Sequence, residues 1–153
     1  MRDGWGMLDS SPTLLTYRAS LHLTDQAGTA LLDEIDLLRS CFAAEMKRGW
    51  ADVHSACVIP QALYLVVSMA AEDDPVERML RIAASFKKHA VADVEWLWPV
   101  VGPVYEGERE RMITQCHARP VEWGLCARPE EWRYSSLGRV SPQYTVASEY
   151  SAR

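Results

Sequence analysis

The stretch of residues 61–69, QALYLVVSM, is almost uninterrupted by polar groups. It is rich in β-branched and aromatic residues, which suit a pleated, buried surface. A run of this kind reads as the central strand of a sheet. Whatever surrounds it must supply neighbouring strands and an apolar cover.

The flanking sequence supplies both. Residues 14–23 (LLTYRASLHL) place Leu15, Tyr17, Ala19, Leu21 and Leu23 on one face of a first strand. Residues 50–59 form another strand, joined to the central one near Pro60. Between the first two strands, residues 29–48 carry Leu31, Ile35, Leu38, Phe42 and Met46 at helical spacing. Asp33, Asp36, Arg39, Glu45 and Lys47 fall on the opposite, solvent-facing side, and Gly49 suits the C-terminal cap. A second helix opens at Asp74-Pro75-Val76-Glu77, with Asp74 as N-cap, Pro75 at the first helical position and Glu77 closing a capping box. Its buried face is Val76, Met79, Leu80, Ile82, Ala83 and Phe86; its other face is basic. Residues 96–105 contain Pro99, Gly102 and Pro103, so they read as an edge strand. Residues 106–117 read as a third helix that stops before Pro120, and residues 129–132 as a turn or short helix. The order predicts an α+β fold: an antiparallel sheet with helices packed on one face. One domain at 13–140 is expected, between a loose arm at 1–12 and a loose tail at 141–153.

Composition narrows the function classes. The chain has 153 residues and a formal net charge of −5, whereas a dedicated nucleic-acid binder is usually basic. The charge counts against DNA unless a local basic face exists. Cys41, Cys57, Cys116 and Cys126 stand singly, without metal or redox spacing, and read as reduced core or half-core thiols. No apolar signal core and no membrane-length apolar run is seen, so a cytoplasmic location is the default.

Three stretches, taken in order, carry a resemblance. The first is Ile35-Asp36-Leu37-Leu38-Arg39, followed by Phe42. The second runs from Cys57 through Pro60 and Tyr64 to Val66. The third is Pro120-Val121-Glu122-Trp123-Gly124-Leu125, followed by Pro129, Trp132, Tyr134, Ser135 and Ser136. Together they resemble the single-tyrosine HUH transposases, in particular the REP-associated tyrosine transposase branch, over roughly residues 13–140. The resemblance implies a ferredoxin-like or RRM-like transposase fold. It also implies a site in which two histidines on a central strand share one face and bind a divalent metal. The metal polarises a phosphate, a tyrosine on the last helix attacks it, and a polar residue one turn later completes the metal site.

On this mapping the sequence departs at all four positions. The histidines become Ala62 and Tyr64, the nucleophile becomes Gln115, and the last polar residue becomes Arg119. Ala62 has no ligand atom, a neutral phenol is a poor ligand, an amide forms no phosphodiester link, and a guanidinium repels a metal ion. His54 and His117 lie near these positions but make a weak ligand set without carboxylates. The expectation is a protein with no metal, no cofactor and no strand cleavage. Trp98, Pro120, Gly124, Leu125, Trp132 and Tyr134 are retained as fold-building types, with Gly124 supporting a turn.

Two functions from different classes follow. The first is a non-catalytic, transposase-derived DNA-binding protein, a regulator that holds hairpin or single-stranded DNA. Its candidate contacts are Arg18, Arg78, Arg81, Lys87, Lys88, Arg119 and Arg133, with Tyr64 stacking on a base. The second is a protein–protein module, a homodimer or complex subunit, which the acidic balance favours. A new enzymatic activity ranks last, because no nucleophile–base or paired-carboxylate constellation stands out. A basic groove on the sheet face would favour DNA; an apolar patch buried in a symmetric contact would favour protein.

Overall fold

The computed structural model describes residues 13–49 and 51–137, so the expected arm at 1–12, tail at 141–153 and Trp50 lie outside the described residues. Four strands form one sheet: β1 (Leu14–His22), β2 (Ala51–Ile59), β3 (Ala62–Ala70) and β4 (Val100–Pro103). Their spatial order is β2-β3-β1-β4, and every neighbouring pair is antiparallel. β3 is central as expected, and eight of its nine residues are buried, so it needs cover on both faces. Pro60 and Gln61 turn β2 into β3, and β4 is the expected edge strand.

Helices α1 (Ala30–Asp33), α2 (Ile35–Arg48) and α3 (Pro75–His89) cover one face. Leu21, Leu63 and Leu65 of the sheet meet Leu31, Leu38, Phe42, Met79, Ile82 and Phe86 there. The expected single helix over 29–48 is broken at Glu34, whose carboxylate accepts hydrogen bonds from the Val91 and Ala92 N–H groups at 2.8 and 3.0 Å. That contact ties the break to the loop after α3. Gly49 does cap α2, but with extended backbone (φ −156°), not a left-handed turn. Asp74 caps α3 by accepting from the Val76 and Glu77 N–H groups; the Glu77 carboxylate takes Arg81 instead of closing a box.

Helix α4 (Arg109–Glu122) packs on the other face, across β2 and β3, and corrects the expectation of helices on one side only. The reason lies in the pleat of β3. Ala62, Tyr64 and Val66 are as apolar as Leu63 and Leu65, so the second face must also be covered, and Met112, Ile113 and Cys116 cover it. The helix also runs through Pro120 instead of stopping before it. Pro120 sits in the last turn with its ring fully buried, so little hydrogen bonding is lost. The end is a Schellman motif: Gly124 at φ +72° donates to the Val121 carbonyl, and Leu125 to the Pro120 carbonyl at 2.8 Å.

After a short 3-10 turn at Pro129–Glu131, the chain returns to the outer edge of β2. The Trp132 indole donates to the Val58 carbonyl at 2.7 Å, and Val58 N–H donates to the Tyr134 carbonyl at 2.8 Å. Ser136 N–H donates to the Ala56 carbonyl, and its hydroxyl accepts from Ala56 N–H at 3.0 Å. The Trp-x-Tyr-Ser-Ser run is therefore a clasp that satisfies an otherwise bare sheet edge. Trp132 and Tyr134 build the fold as expected. Trp98 does not, being 70% exposed.

Arg39 and Glu45, expected in solvent, are buried. Glu45, 4% exposed, accepts from Arg78 Nε at 3.0 Å and from Arg81 Nη2 at 2.9 Å, which binds α2 to α3. Removing one partner of such a pair leaves a buried charge without compensation. Glu45→Ala is expected to lower the unfolding free energy by about 3–5 kcal/mol in urea titrations, and a loss below about 1 kcal/mol would show the pair to be solvated.

Candidate functional site

The strand period of two puts Arg18, Ser20 and His22 of β1 on the face covered by α4, because Ser20 pairs with Tyr64 and His22 with Ala62. Helix α4 turns Met112, Gln115, Cys116 and Arg119 toward the same place, at the i, i+3, i+4, i+7 spacing of one helix face. With Val100 of β4 they enclose a cleft lined by Arg18, Ser20, Tyr64, Gln115 and Arg119, with a cavity volume of about 40 Å³. That volume encloses no more than a few waters, so a larger group meets the cleft only at its open mouth.

Three of the four positions singled out by resemblance thus meet in one cleft, with the fourth, Ala62, fully buried beside Tyr64 in the same apolar cluster. Tyr64 is 8% exposed. The Arg119 guanidinium carbon lies 4.8 Å from its ring centroid, a cation–π contact, and the His22 ring meets it edge-on at 5.4 Å. Burial pushes the Tyr64 phenol up, while the Arg119 charge and a hydrogen bond with Trp123 pull the other way. His22 is pushed down by burial and then by Arg119, and its Nε2 shares a hydrogen bond with Ser20 Oγ at 2.8 Å. Arg119 donates from Nη1 to Glu122 at 3.1 Å, while its buried Nε has no partner among the described residues. A Cβ at Gly102 would stand 3.0 to 3.2 Å from the Arg18 guanidinium, so glycine makes the room in which that group lies over β4.

The remaining candidates are scattered. Arg78 is 3% exposed and engaged with Glu45 and Asp73, which removes it as a DNA contact. Arg81 is taken up by Glu45 and Glu77, and Lys87 by Glu95 and the Val94 carbonyl. These three lie with the opposite layer of helices, as does the exposed Lys88. Arg133 lies over the Tyr134 ring at 5.2 Å, on the clasp. Tyr64 cannot offer its face to a base while Arg119 covers it. Of the predicted contacts, Arg18, Tyr64 and Arg119 are the ones that share the cleft.

His22 and Ser20 were not singled out as site residues. Only the β1–β3 register, which sets His22 opposite Ala62, places them there. His54 and His117 lie elsewhere: His54 bonds Ser68 and His117 bonds Ser136, each at 2.8 Å. Among the described residues no group of three His, Cys, Asp or Glu side chains is placed to hold a metal ion. The groups around Tyr64 do not suit one either: a buried phenol, an alanine, a fixed guanidinium and one imidazole, His22, whose Nε2 is bonded to Ser20.

No family model and no curated protein matches this chain. Among solved structures, a REP-associated tyrosine transposase bound to a REP hairpin superposes with a TM-score of 0.76 at 15% identity, over 86% of this chain and 82% of that one. The fold is that of a tyrosine transposase. A putative transposase from Deinococcus radiodurans R1 is also similar, at a TM-score of 0.48 and 14% identity, over 82% of this chain and 98% of that one. At this identity the likeness shows the fold alone and carries no chemistry by itself.

Burial is the first cause that lowers the pKa of His22, His54 and His117 from the ordinary 6.5. The unfolded chain then binds protons at a higher pH than the folded one, so stability is complete above 6.5 and falls as the pH drops below it. Urea titrations between neutral and mildly acidic pH should show this decline, and His117→Gln should flatten part of it. Stability that is level or rises over this interval would contradict the burial of these rings.

Proposed function

We propose that this chain is a transposase-derived protein that binds hairpin or single-stranded DNA without cutting it, and so acts as a regulator by occupancy. The carrying observation is the Arg119 guanidinium held against Tyr64, where the resemblance places a metal site. A fixed cation there meets a phosphate directly and needs no ion. Tyr64 serves as the apolar backing that orients Arg119, not as a base platform. Arg18, with no salt bridge among the described residues, supplies a second charge on the same face. Gln115 lines the same cleft and offers an amide, which hydrogen-bonds but forms no covalent link. The structural neighbour bound to a hairpin supports DNA as the ligand class. The net charge of −5 belongs to the whole chain, whereas the cleft is lined by Arg18 and Arg119 and, among the described residues, by no carboxylate.

A second reading, a homodimer or complex subunit, is supported by Leu97, Trp98 and Val100, large apolar side chains left exposed along the open β4 edge.

Binding to labelled hairpin and single-stranded DNA, with and without magnesium, separates these. Each neutralised phosphate on a single strand contributes about 0.7 to the slope of log affinity against log salt, so Arg119→Ala should weaken binding and reduce that slope by about 0.7. Binding should not require magnesium, and denaturing gels should show no covalent adduct. An adduct would overturn the non-cutting reading. Absence of binding at low salt would overturn DNA as the partner and favour the second reading.

A further inference from the structure

The cleft is too small for a nucleobase, and the Tyr64 ring is covered. A base belonging to a strand held at Arg18 and Arg119 must therefore rest outside the cleft, on its rim. The segment before β4 forms that rim. Leu97 N–H donates to the His22 carbonyl at 2.8 Å, and Val100 pairs with Ser20 and lines the cleft. Trp98 lies between these two anchors, next to the buried Pro99, and is 70% exposed. The residue before a proline is confined to extended backbone, so the position is rigid.

We propose that Trp98 is a stacking platform for an unpaired nucleobase, set beside the Arg18–Arg119 phosphate contacts. This rests on the DNA-binding reading above and assigns a second residue type to it. The other described tryptophans with structural roles are engaged: Trp96 packs edge-on to Phe86 at 5.9 Å, and Trp132 hydrogen-bonds Val58. Trp123 is 45% exposed but is tied to the Tyr64 phenol by a hydrogen bond, whereas Trp98 has no such contact among the described residues and is the most exposed of the described tryptophans. Strand geometry puts Gly102, over which Arg18 lies, about 13 Å along the chain from Trp98. A short length of single strand spans that distance, with phosphates toward the guanidiniums and one base on the indole. Base-on-aromatic stacking beside a cationic groove is the general means by which single strands are held without sequence readout. Duplex DNA, whose bases are already stacked, gains nothing from this residue.

The test compares wild type, Trp98→Ala, Trp98→Phe and Arg119→Ala against a labelled thymidine oligonucleotide and an abasic oligonucleotide of equal length. Trp98→Ala should weaken binding of the thymidine strand by roughly 5- to 150-fold, and Trp98→Phe should recover most of it. The abasic strand should bind wild type and Trp98→Ala equally, while Arg119→Ala weakens both strands. Because the chain has six tryptophans, the signal is the difference between variants: the thymidine strand should quench intrinsic fluorescence in wild type more than in Trp98→Ala, and the abasic strand should quench both alike. Unchanged binding by Trp98→Ala alongside a loss in Arg119→Ala overturns the platform and leaves the DNA reading standing. Absence of binding by wild type overturns both. Equal weakening on both strands, or a change in sedimentation caused by Trp98→Ala without DNA, also overturns the platform; the latter assigns the indole to a protein contact.

Discussion

The structure depends on one strand that is apolar on both faces. β3 cannot rest on a one-sided layer of helices, because Ala62, Tyr64 and Val66 would then face water. Covering both faces requires two helical layers: α1–α2 and α3 on one side, α4 on the other. The placement of α4 follows from that need, and the candidate site follows from α4. Gln115 and Arg119 reach Tyr64 because the helix that seals the second face passes directly over it. Fold and site are thus consequences of the same hydrophobic requirement.

Charge is distributed in a way that composition conceals. Glu45 gathers Arg78 and Arg81 between α2 and α3, where they fasten two helices and present little to a ligand. Arg18 lies over Gly102, and Arg119 is held by Tyr64 and Glu122. A chain of negative net charge therefore keeps two guanidiniums on the open flank of its sheet. Placement, not the total, determines what such a surface attracts.

Strand positions, the order of elements and the capping by Asp74 were legible in the sequence, because period-two alternation and cap chemistry are local signals. Gly124 was legible for the same reason, as its positive φ is a local demand. The break at Glu34 was not, since its cause is a contact with Val91 and Ala92, 57 and 58 residues away. Nor was the burial of Arg39 and Glu45: periodicity marks a polar face but not what packs against it. In the cleft, the resemblance alone had singled out Tyr64, Gln115 and Arg119, which the structure brings together. His22 and Ser20 required the strand register, and the exposure of Trp98 required knowing which edge stays open.

The clasp has a consequence for how the protein is made. Ala56 and the Ser136 hydroxyl that receives its N–H are 80 residues apart. At about 5–20 residues per second, a ribosome needs roughly 4 to 16 seconds to traverse that interval. Throughout it, β2 emerges with its outer hydrogen-bonding edge bare, open to any other extended chain nearby. The polypeptide is thus most prone to misassociate while it is still incomplete, and truncation ahead of Trp132 would make that transient exposure permanent.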